Sequence, residues 1–447
     1  MTTKKILVVD DSAFMRAIIS DLISRESTFE VVDTARDGEE AVRKVKELLP
    51  DAVTLDVEMP VQNGLQALQQ IMAQSPTPVI MLSSSTEDGR SETLTALELG
   101  AIDFVCKPSP TGGAGTIEEV GQMLVDKLHA AIASAERRRQ MERLKLLIGS
   151  GDESPDPRRT AKPAAAPPAQ DQRSAEPARR GRTSGTPPAA DGKQARRRGE
   201  SPPPLPSAAP PAAARGSRPK PVLPAEEPGR AVGGPSVRGA GGGSAKAADP
   251  ERAVRFRHIV AIGTSTGGPR ALKTLLSALP HHLPAPVLIV QHMPPNFTRS
   301  LAERLDSYSE LKVKEAEDGE VLMSGTAYIA PGGLHMTAVA RPDGTYAIAL
   351  NRTDPVSGHR PSVDRLFESL LPLRQLKRHA VLLTGMGSDG AKMMQRLAED
   401  GATSTFAESE ESCVVFGMPR AAIELGCVSQ VIPLQDMAGA IVTATSG

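Results

Sequence analysis

Lys4-Lys5-Ile6-Leu7-Val8-Val9-Asp10-Asp11-Ser12 decides the fold of the first third of the chain: four consecutive aliphatic residues, two carboxylates and a hydroxyl. A short run that is apolar throughout suits a strand buried on both faces, and the polar residues after it suit a turn or a helix cap. The pattern recurs. Asp56 follows Val53–Leu55, Ser83 follows Val79–Leu82, and Lys107 and Pro108 follow Phe104–Cys106, with amphipathic stretches between the runs. Repeated strand–helix units predict an α/β domain over residues 1–132, a parallel sheet covered by helices. Ligands of such sheets bind at the carboxyl ends of the strands, so Asp10, Asp11, Asp56, Ser83 and Lys107 are expected on one edge.

Three carboxylates brought together repel one another unless a cation joins them, and an oxygen-rich site suits Mg²⁺. Mg²⁺ with Lys107 would neutralise the oxygens of a transferring phosphoryl group, Ser83 would hydrogen-bond one of them, and Asp56 would be the nucleophile. Taken singly these residues are ordinary caps and loops; their joint occurrence at successive strand ends carries the reading.

Beyond this domain the texture changes twice. Ala133–Leu147, with Arg137–Arg139, reads as a charged helical tail leaving the domain. From about Gly149 to Ala253 the chain is rich in Pro, Ala, Gly, Ser and Arg and nearly devoid of large apolar residues, so it cannot bury enough surface to offset the entropy of ordering. Residues 133–253 are expected to be this tail and a disordered linker. Aliphatic runs then return at His258–Ile262, Val287–Val290, Ala327–Ala330, Tyr346–Leu350 and Ala380–Leu383, predicting a second, doubly wound and mostly parallel α/β domain over 254–447.

Composition fits two aliphatic cores. The 447 residues exceed what one core organises, apolar residues make up 39%, Trp is absent, and only 3 Tyr and 8 Phe occur. Lys plus Arg (52) nearly balance Asp plus Glu (53), which gives no reason to expect a nucleic-acid partner, and no basic helix-turn-helix follows the first domain. Cys106, Cys413 and Cys427 lie far apart and read as reduced thiols. Ile6–Val9 is too short for a signal-peptide core or a membrane span, so a cytoplasmic address without membrane insertion is expected.

In the second domain Gly263-Thr264-Ser265-Thr266-Gly267 follows one strand and precedes a helix-like stretch, fitting the G-x-S-x-G pattern of a nucleophile on a strand–turn–helix. A glycine-rich helix start that merely binds phosphate fits the pentapeptide equally well. A serine needs a base. His258 and His379 open their strands at the opposite edge, His281 and His282 approach a strand, His359 is in a loop and His129 belongs to the other domain. His292 and His335 both remain able to reach the carboxyl edge, and Asp389, after a glycine-rich loop, could orient an imidazole.

Val8–Ser12, Leu55–Pro60, Ser83 and Val105–Pro108 make the first domain resemble the response-regulator receiver family. That resemblance implies a flavodoxin-like five-stranded domain whose Asp56 takes a phosphoryl group from a histidine kinase. It further implies Mg²⁺ contacts from Asp11, Asp56 and the Glu58 carbonyl, with Asp10 acting through water, and an aromatic switch at Phe104. Ala261–Gly268, Gln291–Pro295, Tyr328–Met336, His359–Asp364, Leu383–Gly390 and Ser412–Pro419 make the second domain resemble the catalytic domain of chemotaxis protein-glutamate methylesterases. The implied roles are nucleophile for Ser265, general base for His292 and orienting carboxylate for Asp389. Met386 would offer an oxyanion N–H beside Thr266, while His335 and Asp364 would shape the pocket. Also implied are hydrolysis of glutamate γ-methyl esters on the cytoplasmic domains of methylated chemoreceptors without a catalytic cofactor, deamidation of receptor glutamines, and control by phosphorylation. A phosphorylation-controlled adaptor without turnover is the alternative.

Overall fold

The structure is a computed structural model that describes residues 3–84, 86–107, 116–149 and 256–447. Pro108 and the expected linker from residue 150 to 253 lie outside the described residues.

The first domain alternates β1 (Lys4–Val9), α1 (Ala13–Ser24), β2 (Phe29–Ala35), α2 (Gly38–Leu48), β3 (Ala52–Asp56), α3 (Gly64–Gln74), β4 (Val79–Ser83), α4 (Glu87–Leu99), β5 (Asp103–Cys106) and α5 (Ile117–Gly149). Its five strands are all parallel in the order β2-β1-β3-β4-β5, leaving β5 at an edge. The central strands are buried on both faces, which is why their sequence is continuously aliphatic. Ser12 caps α1 by accepting from the Met15 N–H, so the acidic pair is pinned between strand and helix.

α5 corrects the expectation of a departing tail. It runs unbroken for 33 residues, and its far half touches the second domain: the buried Ser134 hydroxyl donates to the Val414 carbonyl, and Arg137 pairs with Glu410.

The second domain runs β6 (His258–Thr264), α6 (Gly268–Ser277), β7 (Val287–Gln291), α7 (Phe297–Asp306), β8 (Lys312–Glu315), β9 (Thr326–Ile329), β10 (His335–Ala340), β11 (Tyr346–Asn351), α8 (Val363–Leu370), β12 (Lys377–Leu382), α9 (Ala391–Glu399), β13 (Ser404–Glu408), α10 (Met418–Glu424), β14 (Gln430–Ile432) and α11 (Leu434–Thr445). Seven parallel strands lie in the order β14-β13-β12-β6-β7-β9-β8. The strand expected at Tyr346–Leu350 instead pairs with β10 in a separate antiparallel hairpin. β7, β9 and β8 lie to one side of β6 while β12, β13 and β14 lie to the other, so the chain reverses direction beside β6. The loops after β6, β7 and β12 therefore open on one crevice, as doubly wound sheets require.

Candidate active sites

At the carboxyl edge of the first sheet Asp10, Asp11 and Asp56 each offer a carboxylate oxygen within 4.8 Å of the others. Lys107, at the end of β5, reaches Asp10 at 2.8 Å and Asp56 at 2.7 Å. Burial pushes the Asp56 carboxyl up to about 6, although Lys107 pulls the other way. One ammonium among three carboxylates leaves a deficit of positive charge, and the donors are all oxygen, so the residues present fit Mg²⁺. The Ser83 hydroxyl points elsewhere: its partners are Thr93 Oγ1 at 2.6 Å and the Ser84 and Gly89 carbonyls. The Glu58 side chain accepts from the Ser84 hydroxyl at 2.8 Å.

On the second sheet, Ser265 sits in the turn between β6 and α6. Its N–H donates to the Thr384 carbonyl at 3.0 Å, tying that turn to the loop after β12. Gly267 adopts φ +80, which admits the reversal into α6. Gly385 is confined by proximity: a Cβ there would lie 2.9 Å from the Ser265 Cβ, so only glycine lets the two loops touch.

His292 follows β7, and its Nε2 lies 2.9 Å from Asp389 Oδ2. The buried Nδ1 has no hydrogen-bond partner among the described residues. Asp389 also accepts from the Ser362 hydroxyl at 2.9 Å and from the Val363 and Asp364 N–H groups at 2.7 and 3.0 Å. Burial raises this carboxyl, but His292 and those backbone donors outweigh it and hold the group below its ordinary range. Ser265, Thr266, His292 and Met386 face one cavity of about 560 Å³.

His335 and Asp364 do not line that cavity and act on it through other residues. His335 is fully buried, bonded through Nε2 to the Asp354 carbonyl and through Nδ1 to the Ser362 N–H, so it steadies the residue that holds Asp389. Asp364 accepts from the Gly390 and Met393 N–H groups and anchors the start of α9. Sequence reasoning passed over His359 because it lies in a loop. Its ring stacks on His292 with centroids 3.7 Å apart and planes 10° from parallel, and burial, then His292, push it down to about 4. Ser362 was missed as well. The run His359–Asp364 was the only signal, and nothing in it separates a stacking ring from a loop residue.

The first domain closes the cavity from outside. Phe104 stacks on Phe297 at 4.6 Å. The Thr266 hydroxyl, next to Ser265, donates to the Asp103 carboxylate, which Lys127 also engages at 2.9 Å. Farther out, Glu98 on α4 is gripped by Arg304 and Lys273.

Comparison with known proteins matches each domain to a described family. The family described as CheB methylesterase matches residues 260–441, and the response regulator receiver domain matches residues 6–112. The protein-glutamate methylesterase/protein-glutamine glutaminase of Geobacillus kaustophilus is 41% identical, covering 99% of each chain. Its counterpart in Bacillus subtilis is 37% identical, covering 98% of this chain and 97% of the other. The solved CheB methylesterase catalytic domain of Thermotoga maritima is 45% identical over 42% of this chain and 97% of its own, with a TM-score of 0.41. With a relative 41% identical along its whole length, the chain belongs to the protein-glutamate methylesterase/protein-glutamine glutaminase family, a hydrolase controlled through a receiver domain.

Proposed function

We propose that Ser265, His292 and Asp389 perform the hydrolysis, and that the substrate is a glutamate γ-methyl ester on the cytoplasmic helices of a chemoreceptor. The observation that carries this is the His292 ring: one nitrogen is committed to Asp389, and the other is unpartnered in a cavity that also holds Ser265. Ser265 Oγ attacks the ester carbonyl while His292 Nδ1 takes its proton, and Asp389 stabilises the imidazolium. The Met386 N–H, beside Thr266, would donate to the oxyanion. The proton returns to the leaving methoxide, releasing methanol. Water then attacks the acyl-serine, with His292 again as base, to give glutamate. A glutamine amide would follow the same course with ammonia leaving.

Control would begin with phosphoryl transfer from a histidine kinase to Asp56. Asp11, Asp56 and the Glu58 carbonyl would hold Mg²⁺, with Asp10 acting through water. The cation supplies charge neutralisation at the phosphoryl oxygens, and Lys107 adds to it. Phosphorylation of Asp56 at the end of β3 would disturb its partner Lys107, just after β5, and so loosen the docking of Phe104 and Asp103 over the cavity. No described helix is long and apolar enough to cross a membrane.

The test is methanol release from methylated receptor membranes, with and without a small phosphodonor and Mg²⁺. Ser265→Ala and His292→Ala should each lower it at least about a thousandfold, and His335→Ala much less. Near-wild-type turnover in Ser265→Ala refutes the assignment.

A further inference from the structure

Two cations on adjacent helices of the catalytic domain converge on one carboxylate that the catalytic domain does not own. Arg304 on α7 grips Glu98 of the receiver with both Nε, 3.0 Å from Oε1, and Nη2, and its Nη1 donates to Thr95 at 3.0 Å. Lys273 on α6 reaches the same Oε1 at 3.1 Å. A two-pronged guanidinium with an ammonium beside it is the donor geometry that selects a carboxylate. The grip is organised from within the catalytic domain: the Lys273 ammonium lies 3.9 Å from the centroid of the Tyr308 ring. When Glu98 leaves, the Lys273 ammonium and the Arg304 guanidinium that shared its Oε1 remain as neighbouring like charges, an arrangement that calls for another anion.

Its position matters. Phe297, which faces the cavity, and Arg304 are seven residues apart on α7, hence on nearly the same face and separated by about 10 Å along the axis. We propose that Arg304 and Lys273 form a carboxylate-binding subsite for an acidic side chain of the substrate helix, about two helical turns from the ester, and that Glu98 occupies this subsite in the closed enzyme. The inference rests on the methylesterase reading above and extends it to substrate selection. The receiver then excludes substrate by presenting the group that substrate itself presents.

The experiment measures methanol release by the full chain from methylated receptor membranes. Without phosphodonor, Glu98→Gln and Arg304→Gln should both raise the rate, because either breaks the grip between domains. With phosphodonor and Mg²⁺, Glu98→Gln should keep the wild-type KM, whereas Arg304→Gln and, separately, Lys273→Gln should raise KM about tenfold with kcat nearly unchanged. Arg304→Lys should recover part of the loss. Neutralising the acidic residue of the receptor helix two turns from the ester should raise KM for the wild type but not for Arg304→Gln. A phosphodonor-state KM equal in Arg304→Gln and Glu98→Gln overturns the subsite and leaves only a contact between domains. No methanol from the wild type in either state overturns the methylesterase reading, and the subsite with it.

Discussion

Asp56 and Asp389 stand at corresponding places in the molecule, each near the carboxyl edge of a parallel sheet and each almost fully buried, yet burial ends differently for the two. Asp389 has four donors, from His292, Ser362 and the N–H groups of Val363 and Asp364, and its charge is secured. Asp56 has Lys107 and a single long contact from the Glu58 N–H at 3.4 Å, and it shares the lysine with Asp10. Its carboxyl is pushed up to about 6. Under the proposed roles, the carboxylate that orients a neighbour is fully solvated by protein, while the one that reacts is left short of positive charge.

Three experiments press on that contrast. Asp389→Asn keeps the shape but removes the charge that orients and steadies His292, and should lower kcat by about a thousandfold or more. Asp56→Asn, the same chemical change, should leave basal methanol release intact and abolish the response to phosphodonor, because the altered group lies in the other domain. If both substitutions affect basal hydrolysis alike, the division of roles is wrong. Ser362→Ala removes one of the donors to Asp389 and should cost roughly ten- to a hundredfold in kcat, as expected for one hydrogen bond to a charged group. Loss within twofold would show that the backbone donors suffice.

The smallest effect concerns the opposite edge of the catalytic sheet. His379 is buried against His258 and Ser404, with ring nitrogen contacts of 3.0 and 2.7 Å, and burial pushes it down to about 4. A histidine whose folded pKa lies below its unfolded value near 6.5 contributes stability that is complete above about pH 6.5 and is lost as pH falls through about 4. The catalytic domain's denaturation midpoint should therefore decline across that window, and His379→Gln should flatten the decline. A decline of equal slope in the variant excludes the histidine as its source.

Much of this was legible in the sequence, and the omissions have physical causes. β1, β3 and β4 read as continuous aliphatic runs because both faces are covered. β2, at the edge of the receiver sheet, mixes exposed and half-buried positions from Glu30 to Thr34, and β14 exposes two of its three residues. Neither carries that signal. Chain order alone put Ser265, Asp389 and both His292 and His335 on one sheet edge, and the choice of His292 over His335 came from the family resemblance. His359 obeys no such rule: it reaches His292 across a loop, and only the folded ring stack reveals it. α5 misled in another way, since a charged helix reads as solvated whether or not Ser134 and Arg137 meet a partner.

The edge position of β5 has a consequence for modularity. Its outer flank pairs with no strand, and from it and neighbouring α4 the receiver presents Asp103, Phe104 and Glu98 to the catalytic domain. The residues proposed for phosphoryl chemistry, Asp10, Asp11, Asp56, Ser83 and Lys107, are a set that an unrelated receiver could supply. A transplanted receiver would thus accept phosphate and yet fail to silence the hydrolase unless those three surface residues were grafted with it. The capacity to receive a signal is portable, whereas the capacity to impose silence is bespoke to this pair of domains.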